Sequence, residues 1–162
     1  MSPRPGTIGL TRIQGIAGFF VWLGQAINGD FSRWTHAFIV LDDETVYEAQ
    51  PGGAVITPLS EYDDRKVAYI DWPLTEGERA GIVASARELV GVGYNWGTYL
   101  YLAAVTLKLP FSAKFLRWRL RKSKRLICSQ ACDQIYWLNG VHLFDDGRKP
   151  FDITPGDLAR LL

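Results

Sequence analysis

Cys128, His36 and Glu48 are the side chains of this sequence whose types could together support nucleophilic chemistry. A cysteine attacks as its thiolate, so it needs a base or cation nearby, and a helix N-terminus helps because its free N–H groups favour negative charge. The run Cys128-Ser-Gln-Ala-Cys-Asp-Gln-Ile-Tyr136 has helical character, with Cys128 at or near its first residue and Arg125 just ahead. There the N–H of Cys128 itself could donate to an oxyanion. The competing reading is a buried thiol packed as a small apolar residue. Cys132, one turn further on, fits that competing reading well.

The chain holds two histidines. His36 opens the strand-like His36-Ala-Phe-Ile-Val40, whereas His142 lies in the loop-like Asn139-Gly-Val-His-Leu143 just after the cysteine helix. A catalytic imidazole also needs a partner for its second nitrogen. For His36 that partner is Glu48, on the following strand. If Asp42 to Glu44 form a three-residue loop, Leu41 faces Thr45, Phe38 faces Glu48 and His36 faces Gln50, so His36, Phe38, Glu48 and Gln50 share one sheet face. A two-residue loop would turn Glu48 to the other face. Pairing of Cys128 with His142 stays open as the alternative.

The elements that must position these residues follow from periodicity. Thr7 to Ile13 holds a short β-prone piece, and Ile16 to Ile27 is helix-like. Two strands, His36–Leu41 and Thr45–Gln50, flank the polar loop, and Ala54–Thr57 and Val67–Asp71 add further strands. Thr75 caps a helix over Arg79–Val90, with Glu78 three residues on. A helix from Trp96 to Leu107 is expected next, then one from Leu126 to Leu138 ended by Asn139-Gly140. The tail closes on a short helical turn. Strands early and helices late make an α+β chain, with a small antiparallel sheet packed against helices. No repeat or linker divides residues 1–162, which are expected to form one domain.

Composition narrows the function classes. A charged fraction of 22% and a formal net charge of +1 give no global field, so nucleic acid is the weakest candidate partner. Two cysteines make no disulfide scaffold, and these two point alongside each other one helical turn apart. They are expected as free thiols in a reducing compartment. The apolar stretch Ile13–Ile27 is broken by Gln14, Gly15, Gly18, Gly24 and Gln25 and lacks a cleavage site, so a cytoplasmic protein is expected, with action at the cell envelope after release. From Lys114 to Arg125 seven of twelve residues are basic, interleaved with Phe115, Leu116, Trp118 and Leu120. That segment is either a solvated amphipathic face or a contact for an anionic membrane or cell-wall surface.

Several short motifs, in order, carry a resemblance: Thr35-His-Ala-Phe-Ile-Val40, Val46-Tyr-Glu-Ala49, Thr57-Pro-Leu59, Gly93-Tyr-Asn-Trp96 and Ile127-Cys-Ser-Gln130. The chain resembles the circularly permuted papain-like cysteine enzymes of the NlpC superfamily, most of all the YiiX/YaeF-like branch. The lecithin:retinol acyltransferase-like proteins are more distant relatives. The resemblance implies a permuted papain-like fold, with Cys128 as nucleophile, His36 as base and Glu48 as the polar third member. It also implies that Tyr94 supports the site, and Gln50, facing His36 in the three-residue-loop register, is a further candidate for support. Gln130 stands where relatives often carry glutamate. The implied function is a thiol hydrolase cleaving an amide, such as a peptidoglycan peptide, through a covalent acyl-enzyme. A lipid-directed acyltransferase on the same triad and a non-catalytic virion or envelope module are the alternatives. No cofactor is implied, and the Cys and His spacings form no zinc motif.

Overall fold

Five strands form one antiparallel sheet in the computed structural model, which describes residues 2–13, 32–50, 52–93 and 127–162. They are β1 (Ile8–Thr11), β2 (His36–Val40), β3 (Thr45–Gln50), β4 (Gly53–Pro58) and β5 (Ala68–Ile70), in the order β4-β3-β2-β1-β5. β2 is therefore central and paired on both edges, and all five of its residues are buried.

The loop between β2 and β3 fixes the register. Asp42 Oδ1 accepts hydrogen bonds from the N–H groups of Glu44 (3.1 Å) and Thr45 (2.7 Å) and from the Thr45 hydroxyl (2.7 Å). An aspartate bonding the backbone two and three residues on is a stable turn. Leu41 N–H donates to Thr45 O at 2.9 Å, which closes a three-residue loop. From there the ladder runs Val40 opposite Val46, Ile39 opposite Tyr47 and Phe38 opposite Glu48.

Alternation along the strands gives the sheet two covered faces. On one, Ile8, Leu10, Ala37, Ile39, Tyr47 and Ala49 join the main core. On the other, Phe38, Val40 and Val46 pack with Tyr62, which ends a 3₁₀ turn over Leu59–Tyr62. Gly9 stands opposite Phe38, and a Cβ there would lie 2.1 Å from the Phe38 ring. Only glycine lets that ring lie across β1.

Helix α1 (Glu76–Glu88) starts at Thr75, whose hydroxyl accepts from Glu78 N–H while Glu78 accepts from Thr75 N–H. Helix α2 (Cys128–Leu138) lays Ala131, Cys132, Ile135 and Tyr136 into the main core, the i, i+1, i+4, i+5 stripe of a core-facing helix. A 3₁₀ turn at Pro150–Asp152 and helix α3 (Pro155–Ala159), capped by Thr154, close the chain. The helix expected from Leu126 thus begins at Cys128, because Ile127 has extended dihedrals (φ −90°, ψ 168°). The segments expected to be helical at 16–27 and 96–107 lie outside the described residues, as do Tyr94 and the basic run 114–125. Among the described residues no helix is long and apolar enough to cross a membrane.

Candidate active site

Cys128 is the first residue of α2, and the first six residues of that helix are all buried. A helix N-terminus leaves backbone N–H groups without intrahelical acceptors, and a buried one needs partners for them. Elsewhere in the chain Thr75 and Thr154 supply a capping oxygen. Ile127, at the equivalent position of α2, has no side-chain acceptor. Gln130 Oε1 accepts from Ile127 N–H at 3.3 Å, and the sulfur of Cys128 takes the N–H of Ser129. Ser129 Oγ donates to Ile153 O at 2.8 Å, tying the first turn to the C-terminal segment.

A second backbone donor comes from β2. Leu41 N–H points to β3, so by period-two alternation the N–H of Ala37 does too. The β2–β3 ladder reaches only to Phe38, one residue short, and the Ala37 N–H is directed to the sulfur of Cys128. The start of α2 therefore meets the sheet at the end of the β2–β3 ladder, beside His36.

His36 connects the sulfur to a carboxylate. Its Nε2 lies 2.7 Å from Glu48 Oε2. That contact leaves Nδ1 for the neighbouring Cys128 thiol, and each of the two groups favours the charged form of the other. All three groups are buried: Cys128 is 1% exposed, His36 6% and Glu48 3%. Glu48 has two further donors, Thr57 Oγ1 to Oε1 at 2.6 Å and the Tyr62 hydroxyl to Oε2 at 2.8 Å.

Charges follow from this geometry. Burial opposes the charge on His36, but the bonds and negative charge of Cys128 and Glu48 outweigh it and hold the imidazole up at about 9. Burial likewise opposes ionisation of Glu48, yet His36, Thr57 and Tyr62 bring its carboxyl down to about 2. For Cys128, burial is overcome by His36 and by the two backbone N–H groups, so its thiol is lowered. The arrangement favours a thiolate beside an imidazolium. Cys132 is the opposite case: burial, the charge of Cys128 and that of Asp133 push its thiol well above the ordinary value, and it packs in the main core.

The alternative base falls elsewhere. His142 is exposed, its ring edge-on to Trp137 with centroids 4.1 Å apart. Gln50, half-buried at the end of β3 opposite Gly53, gives no bond to Glu48, whose donors are His36, Thr57 and Tyr62. Sequence reasoning missed Thr57 and Tyr62 as partners of Glu48. Thr57 had a signal: it stands on β4 opposite Val46, two residues from Glu48 along β3. Tyr62 had none, since it comes under the sheet only through the turn after Pro58.

No family model matches the chain, and no curated protein matches it in sequence. Among solved structures it is similar to the crystal structure of the metalloprotein yiiX from Escherichia coli O157:H7, with a TM-score of 0.59 and 15% sequence identity. The match covers 99% of this chain and 81% of that one. At that identity the likeness speaks for the fold alone, and the chain has a YiiX-like α+β fold built on a five-stranded antiparallel sheet.

Proposed function

We propose that this protein is a cysteine hydrolase of the permuted papain-like type, which cleaves an amide bond through Cys128, His36 and Glu48. One observation carries the proposal: the buried imidazole of His36, bonded through Nε2 to Glu48 at 2.7 Å, neighbours the Cys128 thiol, and each of the two favours the charged form of the other. A binding scaffold has no need of a buried thiol held between an imidazole and a helix N-terminus.

In this reading the Cys128 thiolate attacks the carbonyl carbon, and the oxyanion is met by the N–H of Cys128 at the head of α2. The imidazolium of His36 gives its proton to the departing amine nitrogen as the C–N bond breaks, leaving a thioester on Cys128. Water then attacks the thioester. His36 takes the water proton, and the acid is released with the thiolate restored. Glu48 accepts from Nε2 throughout, which keeps Nδ1 turned to the sulfur and stabilises the imidazolium.

The yiiX protein is described as a metalloprotein. At the present site Nε2 of His36 is committed to Glu48, and Cys128 and His36 offer one sulfur and one nitrogen. Among the described residues no group of three or more His, Cys, Asp or Glu could hold a metal ion. These residues do not fit a metal centre, and no step is routed through one.

The test is to trap the acyl-enzyme. Incubation with an activated amide or ester and measurement of intact mass should show one acyl adduct, mapped to Cys128 and absent in Cys128→Ala. Peptidoglycan fragments and phospholipids, offered in parallel, separate amide hydrolysis from lipid acyl chemistry. An adduct on Cys132, or none with any acyl donor, would sink the proposal.

A further inference from the structure

Three donors converge on the carboxylate of Glu48, and two of them come from elements other than the hairpin that carries the His–Glu pair. Thr57 reaches Oε1 from β4, and Tyr62 reaches Oε2 from the 3₁₀ turn. Two oxygens and three close donors leave the carboxylate little freedom to rotate. Its remaining orientation directs Oε2 at Nε2 of His36.

Tyr62 is itself held firmly. Its ring stacks on Phe38 with centroids 4.3 Å apart at 30°, and the Arg65 guanidinium lies 5.1 Å from its centroid. Phe38 occupies the space that Gly9 leaves open. Leu59 N–H donates to Glu44 O at 2.7 Å, which anchors the 3₁₀ turn to the β2–β3 loop. Burial and the charge of Glu48 raise the Tyr62 phenol far above its usual value, so its hydroxyl keeps its proton and remains a donor.

We infer that Tyr62 and Thr57 are positioning residues: they lock the Glu48 carboxylate in the orientation that aims the His36 imidazole at Cys128. The inference rests on the catalytic reading of Cys128 and His36. Neither residue touches the sulfur; each acts through Glu48. A buried carboxylate with a single donor could be protonated or turned aside. With three donors it stays ionised and fixed.

The experiment is a carbon-13 titration of the Glu48 carboxyl, assigned with Glu48→Gln, in the intact protein and in Tyr62→Phe, Thr57→Val and Thr57→Ser. Tyr62→Phe keeps the ring on Phe38 and deletes only the donor. In the intact protein the carboxyl, lowered by its three donors, should titrate at about 2. Loss of one donor to a charged acceptor should raise it by about one unit in Tyr62→Phe and in Thr57→Val, while Thr57→Ser stays at the parent value. Alkylation of Cys128 at neutral pH should fall about tenfold in the first two variants and recover in the third. A carboxyl that titrates at the same pH in all variants overturns the inference even if alkylation falls, since packing damage alone would do that. A raised carboxyl with unchanged alkylation overturns it as well. Because the titration needs no turnover, an inactive parent protein would count against the hydrolase reading and leave this measurement standing.

Discussion

Glu48 stands directly opposite Phe38 across the β2–β3 ladder, and that pairing brings its Oε2 to 2.7 Å from Nε2 of His36. The relationship is set by the Asp42 turn. A loop shorter by one residue would send Glu48 into the main core and leave the imidazole without its acceptor. Site chemistry here thus depends on a surface turn, far from the sulfur in sequence.

Glu48→Gln tests the electrostatics of that pair. The substitution keeps the shape of the side chain and removes the charge that opposes neutralisation of His36. Loss of a buried hydrogen bond to a charged group should cost about 1.5–3 kcal/mol of stability near neutral pH. The carboxyl is lowered in the folded protein, from 4.5 to about 2, so its contribution is full above about 4.5 and disappears as the pH falls through 2. Urea unfolding of both proteins should therefore show a stability gap that closes on acidification. A gap independent of pH would mean that Glu48 acts by packing alone.

Gly9→Ala tests the support behind the site. The new methyl would meet the Phe38 ring at 2.1 Å and push it against Tyr62. Overpacking of this kind costs about 1–3 kcal/mol. A lowered thermal midpoint together with slower alkylation of Cys128 is expected. A fully stable variant would mean that the ring moves aside freely.

The two thiols should differ sharply in reactivity. Cys132 is buried in the main core with its thiol pushed up, whereas Cys128 is lowered by His36 and two backbone N–H groups. Limited iodoacetamide on the folded protein, followed by peptide mass mapping, should label Cys128 alone. Cys132→Ala should leave that labelling intact and cost about 1–2 kcal/mol for the small cavity. Preferential labelling of Cys132 would reverse the assignment.

Much of the fold was legible because its signals are local. The strand-like runs His36–Val40 and Thr45–Gln50, with a polar loop between them, mark the hairpin, while its register stayed open between two loop lengths until the Asp42 turn settled it. Thr75 with Glu78 marks the start of α1, and the stripe Ala131, Cys132, Ile135, Tyr136 marks the buried side of α2. The nearness of His36 to Cys128 was legible as one of two pairings, and folding chooses it because α2 packs on β2 while its C-terminal end carries His142 to the surface. What escaped was tertiary. Tyr62 lies 14 residues from Glu48, and no spacing rule links a 3₁₀ turn to a carboxylate on the neighbouring strand. Ile127 also breaks the usual preference for a polar N-cap, which moved the start of α2 two residues beyond the expected one.

The measurement that bears most directly on the central claim is the rate of Cys128 alkylation against pH, in a Cys132→Ala background, for the parent and for His36→Ala and His142→Ala. The shape of the profile carries the answer rather than its height, because at 1% exposure access lowers the rate at every pH alike. In the parent and in His142→Ala, the half-maximal rate should lie well below the ordinary thiol value of about 8.5, and in His36→Ala it should move up to that value or beyond. A parent profile centred near the ordinary thiol value and unchanged by His36→Ala would contradict a thiolate–imidazolium pair, and with it the proposed hydrolase.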